Sequence, residues 1–252
     1  MSLLDVVVTD RVAVLTLNDP ERRNVVSHAL NAELGVAMDD LEGRGDVGAV
    51  VLTGAGSAFC AGGDLDDLAN CAGPEDLEAI YAGFLRIAES PLPSVAAVNG
   101  PAVGAGMNMA LACDVIVAGR SARFDTRFMQ IGIHPGGGHT WRLRRITDHQ
   151  TVMAMVVFGQ VVDGPRAAEI GLAWECVDDD ALLATAQAIA GRAAAAPAGL
   201  VRRTKKTVQA LAAIDAGDQA VALEVGPQFA SMGEPAFTEL LARLKAQIST
   251  QP

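Results

Sequence analysis

The chain has 252 residues, half of them hydrophobic and only 4% aromatic, enough for one large domain with a core packed from small aliphatic side chains. Its formal net charge of −11 excludes nucleic acid and an anionic membrane as main partners, and it requires any phosphate-binding site to be locally basic. Four cysteines (Cys60, Cys71, Cys113, Cys176) make no CxxC pair and no metal-ligand spacing, so reduced thiols, no bound metal and a cytoplasmic location are expected.

In chain order, Leu4–Val8 and Val12–Leu17 read as β-branched strands joined by a hairpin at Thr9-Asp10-Arg11. Asp5 and Asp10 interrupt this apolar stretch, which reads against a signal peptide. Ser27 is placed to cap a helix running to about Glu42, with Leu30, Leu34, Met38 and Leu41 on one face. Gly48–Thr53 is a continuous apolar strand ending in glycines. A helix from about Pro74 to Ala88 follows, with Leu77, Ile80, Phe84 and Ile87 in helical spacing. Val95–Val98 is the next strand; a helix then starts at a second glycine block and runs toward Cys113, before the strand Val115–Ala118. Ser90 to Cys113 is uncharged, but Pro91, Pro93, Pro101 and several glycines exclude it as a spanning helix. The alternation predicts an α/β sheet wrapped by helices.

Asp180–Ala196 and Ala198–Ile214 are Ala-rich helical patterns broken at Pro197, and Gln219 to about Ile248 forms one or two more helices interrupted near Gly233-Glu234-Pro235. The expected organisation is a core over 1–196 and a helical region over 197–252 that packs on a neighbouring subunit or back over its own body.

The chemistry concentrates at two glycine-rich blocks, each after an apolar run: Thr53-Gly54-Ala55-Gly56 through Ala61-Gly62-Gly63-Asp64, and Asn99-Gly100-Pro101 through Gly104-Ala105-Gly106. Small residues after a buried strand let main chain approach a ligand closely. A helix starting near Ala105 offers free N–H groups and a positive dipole end, and Gly63 is positioned to supply a second donor to one oxygen. The same glycines also suit plain strand-to-helix turns. Gly54-Ala55-Gly56 lacks the last glycine of a dinucleotide fingerprint, which removes an NAD-dependent oxidoreductase. No GxxxxGK[ST] loop and no GxSxG elbow occur. Cys60, with no charged neighbour, reads as a small buried hydrophobe. His28, His134, His139 and His149 have no zinc-site spacing.

Leu17-Asn18-Asp19-Pro20-Glu21-Arg22-Arg23-Asn24, the segment Phe59-Cys60-Ala61-Gly62-Gly63-Asp64-Leu65, and Ala97 through Gly106 ending in Ala112-Cys113-Asp114 together resemble the enoyl-CoA hydratase/isomerase (crotonase) family. The likeness continues through Phe124, Gly132, Pro135-Gly136-Gly137-Gly138 and Gly171-Leu172-Ala173, covering about residues 10–200. The resemblance implies a spiral of ββα units with a C-terminal helical trimerisation region, assembled as a homotrimer or dimer of trimers. It implies an acyl-CoA thioester substrate whose carbonyl oxygen lies between the backbone N–H groups of Gly63 and Ala105. It also places Arg22, Ala61, Gly62, Asp64 and Leu65 at the CoA-binding loops. No separate cofactor is implied, because coenzyme A is part of the substrate.

The same resemblance marks a departure. The two glutamates of the family's hydratases fall at Asn108 and Phe128, and the aspartate of some of its isomerases falls at Gly136; none of these three exchanges protons near neutral pH. The substitutes nearby are His134 and His139, bracketing the glycine turn, a water held by Asn108, and the carboxylates Asp125 and Asp64. Arg22 and Arg23 are candidates for the CoA phosphates, as are Lys205 and Lys206 from a neighbouring subunit, whereas Arg142, Arg144 and Arg145 are expected in an ion-pair network. Two readings follow: an enzyme of hydratase/isomerase type with non-standard acid/base groups, and a non-catalytic acyl-CoA-binding protein on the same scaffold.

Overall fold

Valine-rich runs without polar alternation need apolar cover on both faces of a sheet. The computed structural model, which describes residues 2–249, provides it. Strands β1 (Leu4–Thr9) and β2 (Val12–Leu17) form an antiparallel hairpin whose two loop residues, Asp10 and Arg11, both have positive φ, as the mirror-image turn between twisted strands requires. Helix α1 (His28–Gly43) is capped by Ser27, whose hydroxyl accepts from Leu30 N at 3.3 Å. There follow β3 (Ala49–Gly54), α2 (Leu65–Ala69), α3 (Pro74–Glu89), β4 (Ser94–Val98), β5 (Pro101–Val103), α4 (Ala105–Ala112), β6 (Val115–Gly119) and β7 (Arg123–Asp125). A 3-10 turn (Phe128–Ile131) leads to α5 (His139–Ile146), α6 (His149–Val152) with a π turn (Met153–Val157), β8 (Val162–Asp163), α7 (Gly164–Glu169), β9 (Glu175–Val177) and α8 (Leu182–Ala194). Helices α9 (Ala198–Leu211), α10 (Gly217–Met232) and α11 (Pro235–Ser249) complete the chain.

The main sheet has the order β1-β2-β3-β4-β6-β9 and is parallel apart from the hairpin. The strands β2, β3, β4 and β6 alternate between two cores. Val12, Val14, Ala49, Val51, Val95, Ala97 and Val117 meet Leu182, Ala186, Ala190 and Ala194 of α8. Ala13, Leu15, Val50, Leu52, Ala96 and Val98 face the other way, among Leu30, Leu34, Met38, Phe84, Ile87 and Met109. The alanines of α8, spaced by four, allow it close to the sheet; a Cβ on Gly48 would stand 2.7 Å from Ala194 Cα. The second sheet, β5-β7-β8, is small and adjoins the glycine blocks.

The chain divides into two units at 194/195, and α8 lies within the first. In the second unit α9, α10 and α11 bury no side chain among the described residues, and an ion pair joins Arg203 to Glu234. The short elements β5, β7, β8 and β9 and the helices between 139 and 169 have no counterpart in the sequence reading, because two- and three-residue strands carry no measurable periodicity.

Candidate active site

The two glycine blocks are bonded to each other before any ligand is considered. Cys60 pairs with Ala102 in a parallel bridge: its N–H donates to Pro101 O at 3.1 Å and its carbonyl accepts from Val103 N at 3.0 Å. A Cβ on Gly106 would overlap the Cys60 carbonyl, so this approach requires glycine there. Two buried or part-buried asparagines complete the frame. Asn24, itself at φ 57, donates from Nδ2 to the carbonyls of Ala55, Ala58 and Phe59, and Asn99 bonds Gly54 through both its amide atoms. The Cys60 thiol, wholly enclosed, is pushed by burial up to about 12, which leaves it an inert small hydrophobe.

Within that frame the bridge between Val26 and Gly63 uses the carbonyl of Gly62 (from Val26 N, 2.8 Å) and the amide of Asp64 (to Val26 O, 2.8 Å). The intervening Gly63 amide is left undirected to the chain. Gly104, at φ 49, caps α4, so the N–H of Ala105 is the first of the helix's unsatisfied donors. Among the described residues neither amide donates to a protein acceptor. A Cβ on Gly63 would lie 3.9 Å from Ala105 Cβ, so the two donors stand side by side. Both line a cavity of about 630 Å³. All eight residues of α4 are buried, so its dipole acts at this point through low dielectric.

Asn108 lies on the cavity wall one helical turn beyond Ala105. Its Nδ2 donates to Gly136 O at 3.1 Å, and because a carbonyl only accepts, this fixes which way the amide points. The Oδ1 therefore accepts from Nδ1–H of His139 at 2.7 Å, which sets the histidine tautomer and leaves Nε2 as a buried lone pair without a partner among the described residues. Burial, with Arg142 close by, pushes His139 down from the ordinary 6.5 to about 4. Phe128 lines the cavity and meets the His139 ring edge-on at 4.9 Å.

The glycine turn is held from several sides: Arg142 Nη1 donates to Gly137 O at 2.6 Å, and a Cβ at Gly136 would overlap the hydroxyl of Tyr81. Arg142 thus serves this turn rather than the expected ion-pair network, while Arg145 stacks over Trp141 at 4.6 Å.

At the other end, Arg22, Ala61, Gly62, Asp64 and Leu65 all line the cavity. Asp64 caps α2 through Asp66 N and Asp67 N and is ion-paired to the exposed Arg22, so its carboxylate is committed to the loop. Asp125 is buried against Arg127 and is not on the wall. His134 is exposed, with Nδ1 2.7 Å from Pro135 O, and also stands off the wall. Lys205 and Lys206 belong to α9 in the second unit, and Arg23 is an exposed residue at φ 55. The sequence reading missed Tyr81, Thr126 and Arg127, all on the wall. Tyr81 carried one signal, as the sole tyrosine of an aromatic-poor chain.

A family model described as enoyl-CoA hydratase/isomerase matches residues 8–235. A probable enoyl-CoA hydratase of Mycobacterium tuberculosis is 45% identical over 243 residues, 93% of this chain and 94% of that protein. The 1,2-epoxyphenylacetyl-CoA isomerase of Escherichia coli is 37% identical over 202 residues, 76% of this chain and 77% of its own. Among solved structures, an enoyl-CoA hydratase of Bacillus anthracis superposes with a TM-score of 0.90 at 27% identity, over 97% of this chain and 96% of that one.

Proposed function

The chain belongs to the enoyl-CoA hydratase/isomerase family, with its crotonase fold, and from that premise we propose that it binds an acyl-CoA thioester and polarises the carbonyl between the backbone N–H groups of Gly63 and Ala105. The observation that carries this reading is the pair of adjacent, uncommitted amides on the cavity wall. Donors fixed in a buried site stabilise the enolate-like state shared by lyase and isomerase reactions of thioesters, at about 2.7–4 kcal/mol per donor. Arg22 and the loop from Ala61 to Leu65 take the CoA side.

Proton handling falls to groups other than carboxylates. Asn108, with one N–H and one lone pair still unused, orients a water or an acyl group in the cavity. His139 acts through it as a positioning residue. The second reading, thioester binding without turnover, draws on the same observation: the positions of the family's acids carry Asn108, Phe128 and Gly136, and His139 is held neutral. On either reading the chain assembles as a homotrimer or dimer of trimers through the apolar faces of α9–α11.

Ala105→Pro tests the assignment, because proline at the first helical position removes the N–H while keeping the helix. Calorimetry with short enoyl-, hydroxyacyl- and oxoacyl-CoA thioesters is expected to show binding by the wild type. Ala105→Pro should lower turnover by about 10²–10³-fold with an unchanged melting temperature. Thioester binding with no turnover of any of the three would select the second reading; absence of thioester binding would overturn both.

A further inference from the structure

Tyr81 stands where the glycine turn Pro135-Gly136-Gly137-Gly138, between the 3-10 turn and α5, has no side chain at 136. The residue sits in the middle of α3, which Asn31 of α1 holds on both sides: Asn31 Nδ2 donates to Ile80 O at 3.0 Å, and Asn31 Oδ1 accepts from Gly83 N at 3.1 Å. The ring leans on Phe84, centroid to centroid 5.7 Å, and the half-buried side chain lines the cavity. Its hydroxyl fills the space a side chain at 136 would take, and a Cβ on Gly137 would lie 3.1 Å from both Tyr81 Cδ1 and Asn108 Nδ2. Tyr81 and Asn108 therefore converge on one glycine turn. Among the described residues the hydroxyl makes no hydrogen bond, and it is not sealed from the cavity.

We propose that the Tyr81 hydroxyl is a specificity-determining donor of the acyl pocket, selecting thioesters that carry an oxygen substituent two or three bonds from the thioester carbonyl. This rests on the carbonyl being held at Gly63 and Ala105. Asn108 lies three residues along α4 from Ala105, about 4.5 Å at the helical rise; two to three bonds carry an oxygen substituent about 2.5–3.8 Å in that direction, within hydrogen-bond reach of a donor at that depth. At that depth the wall offers an aromatic donor and an amide but no free carboxylate. Burial pushes the pKa of the Tyr81 hydroxyl up from its ordinary value, so it stays a phenol able to donate to a hydroxyl or oxo group. Unsubstituted chains leave this donor without a partner.

The experiment compares 3-hydroxybutyryl-CoA, acetoacetyl-CoA and butyryl-CoA by calorimetry on the intact protein. Tyr81→Phe keeps the ring on Phe84 and removes the hydroxyl; it should weaken the two oxygenated thioesters about tenfold and change butyryl-CoA by less than about twofold. Gly136→Ala, which drives a methyl into the hydroxyl's place while keeping the tyrosine, should give the same selective loss. The ultraviolet titration of the sole tyrosine should shift with a bound oxygenated thioester and stay still with butyryl-CoA. Equal effects on all three ligands, or none, would overturn the role of Tyr81 while leaving the thioester site standing. A wild type that binds no thioester at all would overturn both the site and the inference.

Discussion

His139 shows how one residue ties the site to the stability of the fold. Its ring is buried, gives Nδ1–H to Asn108 and is held down at about 4, with Arg142 as the charged neighbour opposing protonation. The unfolded chain takes up a proton at this side chain near 6.5, the folded chain only near 4, so the unfolded state binds more protons between these values. Stability is therefore complete above about pH 6.5, falls as the pH drops through that window, and stops falling below about 4. The difference amounts to about 3 kcal/mol from this group. Urea unfolding of the wild type at pH 7 and pH 5 should show the loss, and His139→Gln, which keeps a donor toward Asn108, should flatten it. An unchanged pH slope in the variant would show that His139 is not the group responsible. The tautomer could not be read from sequence, because it depends on the carbonyl of Gly136 fixing the amide of Asn108.

At the scale of elements, the long ones were legible and the short ones were not. Strand β2, helix α1 with its Ser27 cap, and the start of α4 follow from apolar runs and caps that any single stretch displays. The short strands β5 and β7 and the turn at Phe128 exist because of neighbours distant in sequence, through contacts such as Cys60 with Ala102 and Gly104 N with Asp125 O. The site divides in the same way. Gly63, Ala105 and Asn108 sit in recognisable blocks, whereas Tyr81 reaches the pocket from the middle of an ordinary amphipathic helix, and His134 lies in the turn yet stays outside. Glycines separate the two kinds of constraint. Gly106→Ala would drive a methyl into the Cys60 carbonyl and should destabilise by about 2–3 kcal/mol, while Gly191→Ala in α8 meets nothing within 4 Å and should stabilise by about 0.5–1 kcal/mol. Comparable shifts for the two variants in thermal unfolding would mean that the joint between the glycine blocks yields to a methyl group.

For the whole molecule, the apolar surface of the second unit is the feature that a lone chain does not account for. Val221, Val225 and Phe229 recur every four residues on α10 and stand 59%, 55% and 76% exposed, with Leu240, Leu244 and Ile248 on α11 likewise open. Helices with no buried side chain have little reason to keep a fixed packing in water, since most helical stability comes from covering an apolar face. Exposed apolar faces of this kind suit an interaction surface, and a second copy of the chain would supply the same faces for closed symmetry. The net charge of −11 makes non-specific association of copies unfavourable, so the assembly proposed above would need a specific face such as this one. Light scattering of the purified protein should give a mass of three chains or six. Val225→Lys with Phe229→Lys, both on the exposed face of α10, should shift it to one chain and lower the melting temperature, because burial of six large side chains is lost per copy. A wild type that runs as a monomer with a single sharp unfolding transition would show instead that α9–α11 are stable without a partner.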